Sequence, residues 1–83
     1  MARIIENEKK NLVGPIIREK RLKKKMSQQE LSAKLETMAI YSCRGSISRI
    51  EDQSRTVTDI ELYGLSKILN ISPEDFFNHA DHI

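Results

Sequence analysis

The chain has 83 residues, 31% of them charged and 39% apolar, with a net charge of +2. This describes one small domain with a modest core. It contains no apolar run near the roughly 20 residues that span a bilayer, and no leading apolar stretch that reads as a signal peptide. A single cysteine, Cys43, excludes an intrachain disulfide and suits a reducing compartment.

The charge is unevenly spread. Residues 1–26 hold nine Lys/Arg against three Glu, residues 27–55 hold four of each sign, and residues 56–83 hold one Lys against five acids. Such asymmetry fits a basic side facing a polyanion; a solvated basic helix face would give the same numbers.

In chain order, residues 1–10 are polar and read as a flexible N-terminal arm. Asn11 is placed to cap a first helix over about 12–24. Pro15 then falls in the first turn, where its missing N–H has no intrahelical partner to lose. Val13, Ile17 and Arg21 share one face of this helix, and Lys20 and Lys24 lie near the same inward side. Ser27 and Glu30 form a capping box that opens a second helix over about 28–38.

Leu31, Leu35 and Met38 fall at i, i+4 and i+7 along that helix. The stripe stays in phase past the point where a short turn to the next helix would begin. The second helix is therefore expected to absorb the extra length as about one more turn of ~3.6 residues. The connection shrinks to Ala39–Ser42, with Ile40 in the core and Tyr41 either lining the core or reaching outward to a phosphate.

A third helix, about 43–51, turns Ile47 and Ile50 inward. Gly45, Ser48 and Arg49 lie opposite them, Arg44 and Ser46 flank, and Glu51 sits at the edge of the buried side. Guanidinium forks match the O6/N7 acceptor pair of guanine, Ser accepts either base, and a residue without a side chain permits close backbone approach. Ordinary surface arginines would give the same pattern.

Thr58 and Glu61 repeat the capping box and open a fourth helix over about 59–69, with Leu62, Leu65, Ser66 and Leu69 as its inward stripe. Gly64 within it costs about 1 kcal/mol relative to Ala, which close approach of another helix would offset. Ser72 as cap, Pro73 at the first position and two acids behind it open a fifth helix over about 73–78, followed by a tail at 79–83. No stretch shows strand alternation, so the fold class is all-α.

The segments "VGPIIREKRLKKKMSQQELSAKL", "ISRIE" and "RTVTDIELYGLSKILNISPEDFF" resemble the Cro/phage-repressor-type (XRE-like) helix-turn-helix over about Leu12–Phe77. The likeness is to a long-turn variant, with a linker about five residues longer than the commonest form and Ala39 where a turn Gly is usual. It implies a compact five-helix lambda-repressor-like DNA-binding domain over 11–78. It also implies a homodimer through the C-terminal helices on a roughly palindromic double-stranded operator, acting as a transcriptional repressor. Two recognition helices of such a dimer would sit about 34 Å apart.

By the same resemblance Arg44, Gly45, Ser48 and Arg49 read bases. Gln28, Ser46, Arg55, Lys23 and Lys25 contact phosphates, and Arg21 pairs with Glu51 in a structural ion pair. Which of Arg44 and Arg49 reads a base depends on the tilt of the third helix.

A second reading is a protein-interaction module, such as an antitoxin that binds a toxin and also autorepresses. The acidic C-terminal third and the adjacent Phe76 and Phe77 motivate it, one ring closing the core and the other pairing outside. No Gly-rich phosphate loop or Ser/His/acid set points to an enzyme, and no cofactor is expected. His79, Asp81 and His82 make a poor metal site on a chain end. Cys43 beside Arg44 is either a redox-sensitive thiol or a small residue at a helix start. The expected location is cytoplasmic, in a bacterial or phage-encoded protein held on the nucleoid by DNA and not by a membrane.

Overall fold

The computed structural model describes residues 9–76. Four helices are complete within it: α1 (Gly14–Lys23), α2 (Gln28–Glu36), α3 (Arg44–Glu51) and α4 (Asp59–Leu69). A fifth, α5, opens at Pro73 and is described through residue 76, and no strand occurs among the described residues. The expectations for Phe77, the His79/Asp81/His82 cluster and most of the N-terminal arm lie outside the described residues.

The five-helix, all-α expectation is met, and the stripes explain why. Ile17 of α1, Leu31 and Leu35 of α2, Ile47 and Ile50 of α3, and Leu65 and Leu69 of α4 are all buried. They close one core with Ile16, Ile40, Ile71 and Phe76. Helices α2 and α3 pack on each other, α1 packs on α3 and α4, and α4 also packs on α2.

Both capping boxes form. Ser27 accepts from the Glu30 N–H at 3.0 Å while Glu30 accepts from the Ser27 N–H at 2.7 Å. Thr58 and Glu61 do the same at the head of α4, and Ser72 and Asp75 at the head of α5. Helix α1 begins two residues later than expected, with Val13 as its cap residue. Asn11 still acts on the first turn, accepting from the Gly14 N–H at 2.8 Å.

The ends of the helices share one device. Lys25, Ala39, Gln53 and Asn70 have φ of 56°, 60°, 67° and 58°, the left-handed region, and none is Gly. The N–H after each reaches back five residues: Met26 to Arg21, Ile40 to Leu35, Ser54 to Arg49 and Ile71 to Ser66. This is the Schellman closure, which satisfies carbonyls orphaned at a helix end.

The closure corrects the reading of the long turn. Helix α2 stops at Glu36 and does not gain a full extra turn. Residues Thr37–Ala39 wrap back onto it instead, through bonds from Met38 to Leu35 and from Ala39 to Glu36. Met38 still packs against the core, so the stripe reaches its target after the helix has ended. Ala39 stands at the left-handed position that favours Gly. Helix α3 likewise starts at Arg44, with Cys43 as its cap residue.

Two glycines mark close approaches. A methyl group at Gly64 would come within 2.5 Å of Ile40 Cδ1 and 2.9 Å of Leu35 Cδ2, so α4 runs hard against α2 and its connection. A methyl group at Gly14 would collide with the carbonyl oxygens of Ile50 and Glu51, backbone atoms that cannot swing aside. Gly14 thus lets the start of α1 lie on the end of α3.

Ala39→Gly should raise the free energy of unfolding by about 1 kcal/mol, since Gly enters the left-handed region without the Cβ penalty. Gly14→Ala should lower it by about 2 kcal/mol or more by overpacking. Urea denaturation followed by circular dichroism measures both.

Candidate nucleic-acid interface

Helix α3 is held at both ends, and the holding groups decide which side of it faces out. At its C-terminal end, Glu51 is 6% exposed and Arg21 7% exposed. The Arg21 guanidinium donates to Glu51 through Nε at 2.7 Å and through Nη2 at 3.0 Å, a two-pronged ion pair. Its remaining arm donates to the Met26 carbonyl at 2.8 Å. Gln28, the first residue of α2, donates its side-chain amide to Glu51 at 3.0 Å. One carboxylate therefore ties α1, α2 and α3 together.

Asn11 and Gln53 reinforce that end. The Asn11 amide donates to the carbonyls of Ile50 and Arg55 at 3.0 and 2.8 Å. Gln53 donates to the Asn11 carbonyl at 3.0 Å, and the Lys10 N–H donates to the Gln53 carbonyl at 2.9 Å. The sequence reading assigned Asn11 only a cap and missed Gln53, since nothing in their spacing signals contacts some forty residues apart.

The other end is fixed through Ser42, 4% exposed just before α3. Its carbonyl accepts from the Ser32 hydroxyl at 2.7 Å, and its own hydroxyl donates to Glu61 at 2.7 Å. Glu61 also receives two arms of Arg55, at 2.6 and 3.2 Å. Partial burial alone would raise the Glu61 carboxyl; the Arg55 guanidinium, the Thr58 N–H and the Ser42 hydroxyl outweigh it and bring its pKa from 4.5 to about 2.

Arg55, expected at a phosphate, is engaged inside the fold. Its remaining donors go to the carbonyls of Ser46, at 3.4 Å, and Thr56, at 2.6 Å. The charge expected at a phosphate is already matched inside the fold. A capping-box Glu has a second oxygen free, and that was the available signal for its partner.

The outward face of α3 carries Arg44, Gly45 and Arg49, all exposed, with Ser48 and Ser46 half-buried beside them. Arg44 and Arg49 make no ion pair among the described residues. The structure brings Arg49 over Gly45, where an added methyl group would lie 3.7 Å from the guanidinium and meet nothing closer. Lys23 and Lys25 are exposed at the α1–α2 junction, Lys23 with a loose partner, Glu19, at 3.7 Å. Gln28 would have to release Glu51 to reach a phosphate with its amide nitrogen.

Tyr41 is 77% exposed, which rules out the core-lining alternative. Cys43 is exposed at the α3 cap. The Ser46 N–H holds its thiol pKa below the ordinary value against a small cost of burial, and the Gly45 N–H and Arg49 charge add to the lowering.

Helix α3, paired with α2 across a turn, is the kind of arrangement named by a family model described as helix-turn-helix. That model matches residues 17–76. The chain belongs to the XRE-type helix-turn-helix family. This is a family of DNA-binding transcription regulators. Within the XRE-type domain, α2 and α3 are the helix-turn-helix pair. No match was found among curated proteins or among solved structures.

Glu61 is charged in the fold at pH values where it would be protonated in the unfolded chain. Its depressed pKa contributes stability above about 4.5, which is lost as pH falls toward about 2. Urea midpoints measured across that window should drop in the wild type, and Glu61→Gln should flatten part of the drop.

Proposed function

We propose that this chain is a sequence-specific double-stranded DNA-binding repressor that inserts α3 into the major groove. One contrast carries the reading. Arg21 and Arg55 are each bound to a carboxylate, whereas Arg44 and Arg49 stand exposed on one face of α3 with none among the described residues. Gly45, between them, supports it. Gly inside a helix costs about 1 kcal/mol relative to Ala. Gly14 and Gly64 each relieve an internal clash; Gly45 relieves none. A cost without an internal return fits a backbone that something outside must approach.

In this reading Arg44, Gly45, Ser48 and Arg49 meet base edges. Gln28, Ser46, Lys23 and Lys25 meet the sugar–phosphate backbone. The acting form is a homodimer on a roughly palindromic operator in the cytoplasm of a bacterium.

The surface for the second copy is an apolar groove along α4 and α5, lined by Leu12, Val13, Leu62, Tyr63, Pro73 and Phe76. Leu12, Ile60 and Tyr63 are each more than half exposed around it. Grouped exposed apolar side chains mark interaction surfaces. The groove also favours the alternative, an antitoxin-like module whose partner is another protein.

Selection of bound duplexes from random DNA, followed by titration, tests the reading. Arg44→Ala and Arg49→Ala should each relax base preference by about 1–3 kcal/mol. Gly45→Ala should fold at least as stably as wild type yet bind more weakly. Wild-type affinity should fall by orders of magnitude between about 50 and 200 mM salt. Absence of DNA binding at low salt would leave the protein-partner reading.

Tyr63→Lys should convert the dimer to monomer in analytical ultracentrifugation with little change in melting, and should weaken palindromic operators more than half-sites. A wild-type monomer at all concentrations would remove the dimer.

A further inference from the structure

We infer that Tyr41, presented by the long α2–α3 connection, is a DNA backbone contact whose phenol hydroxyl donates to a phosphate oxygen at the edge of the groove that α3 enters. The inference rests on the proposed major-groove reading of α3.

The connection holds this one ring out while burying its neighbours. Ile40 on one side is 7% exposed and Ser42 on the other is 4% exposed, against 77% for Tyr41. Both neighbours are anchored by bonds to other elements or to the preceding helix. The Ile40 N–H donates to Leu35, Ser42 accepts from Ser32, and Ser42 donates to Glu61. A residue between two such anchors has a fixed Cα and a fixed outward direction. The ring is therefore presented at low ordering cost, and an aromatic with a polar tip suits a boundary between apolar and wet surroundings.

Position points to DNA. Tyr41 lies three residues before Arg44, so their Cα atoms are at most about 10 Å apart. The major groove is about 12 Å wide. A side chain offset that little from a helix seated in the groove falls at its phosphate wall. Tyr41 shares a shallow groove with Cys43 and Ser46 of the first α3 turn and with Ser32 and Glu36 of α2. Glu36 is the one acid of that lining, so the neutral hydroxyl, which can donate without a net charge, is suited to bring the backbone past it.

The test uses the full chain and the duplex enriched by wild-type protein, with binding followed by fluorescence anisotropy at fixed salt. Tyr41→Phe removes only the hydroxyl and should weaken binding about 3–10-fold, alike on the enriched duplex and on unrelated sequences. Its melting temperature should stay at the wild-type value, because the ring is outside the core. Replacing single phosphates by methylphosphonates should show one position at which wild type loses affinity and Tyr41→Phe does not.

If Tyr41→Phe binds like wild type while Arg44→Ala and Arg49→Ala are impaired, the Tyr41 contact is refuted and the reading of α3 stands. If neither Tyr41→Phe nor the two Arg variants change binding, both fall. A loss confined to one base-pair identity would overturn the phosphate assignment in favour of a base contact.

Discussion

The Arg21–Glu51 pair is the constraint on which the rest of the domain depends. Apolar burial holds the helices together but carries no direction, and a core of Ile and Leu tolerates small rotations of each helix. A two-pronged pair at 2.7 and 3.0 Å does not. Because Glu51 ends α3, Arg21 sits in α1 and Gln28 opens α2, one carboxylate sets the relative rotation of three helices. Buried ion pairs are weak sources of net stability. The value of this one lies in orientation, since it keeps Ile47 and Ile50 inward and so holds Arg44 and Arg49 outward.

Four arginines near α3 share one chemistry and divide into two roles according to what lies within reach. Arg21 and Arg55 each find a carboxylate and hydrogen-bonding carbonyls, and become fasteners. Arg44 and Arg49 find none among the described residues and stay exposed. The acidic partners, Glu51 and Glu61, already serve elsewhere: one ends α3 and the other completes a capping box. A few residues with double roles can set the outward face of a helix in a small chain, where there is little room for dedicated supports.

The elements legible in the sequence were those whose causes are local. The Ser27/Glu30 and Thr58/Glu61 boxes act over three residues, and the stripes Leu31–Leu35 and Leu62–Leu69 repeat with the helix. These sufficed for the five helices and the buried side of α3. What sequence spacing could not carry was direction in the irregular segments. Arg55 and Tyr41 both lie in connections, where no period says which way a side chain points; one turned in and the other out. The extra length before α3 kept the phase of a helix, yet Ala39 adopted the left-handed conformation and ended α2 early. Gly14 and the Asn11–Gln53 bonds arise only once distant parts of the chain meet, and no local signal marks them.

The four left-handed helix ends have a consequence for the protein in the cell. Each of Lys25, Ala39, Gln53 and Asn70 holds a backbone conformation that costs an L-residue of most types about 1 kcal/mol or more, in a domain whose small core leaves little surplus. Each such cost raises the unfolded fraction, and unfolded chain is what proteases remove. A ligand that binds only the folded form shifts this balance by RT ln(1 + [L]/Kd). Any partner that binds only the folded form would therefore also lower the fraction open to proteolysis, and the strained backbone at the helix ends would enlarge that effect.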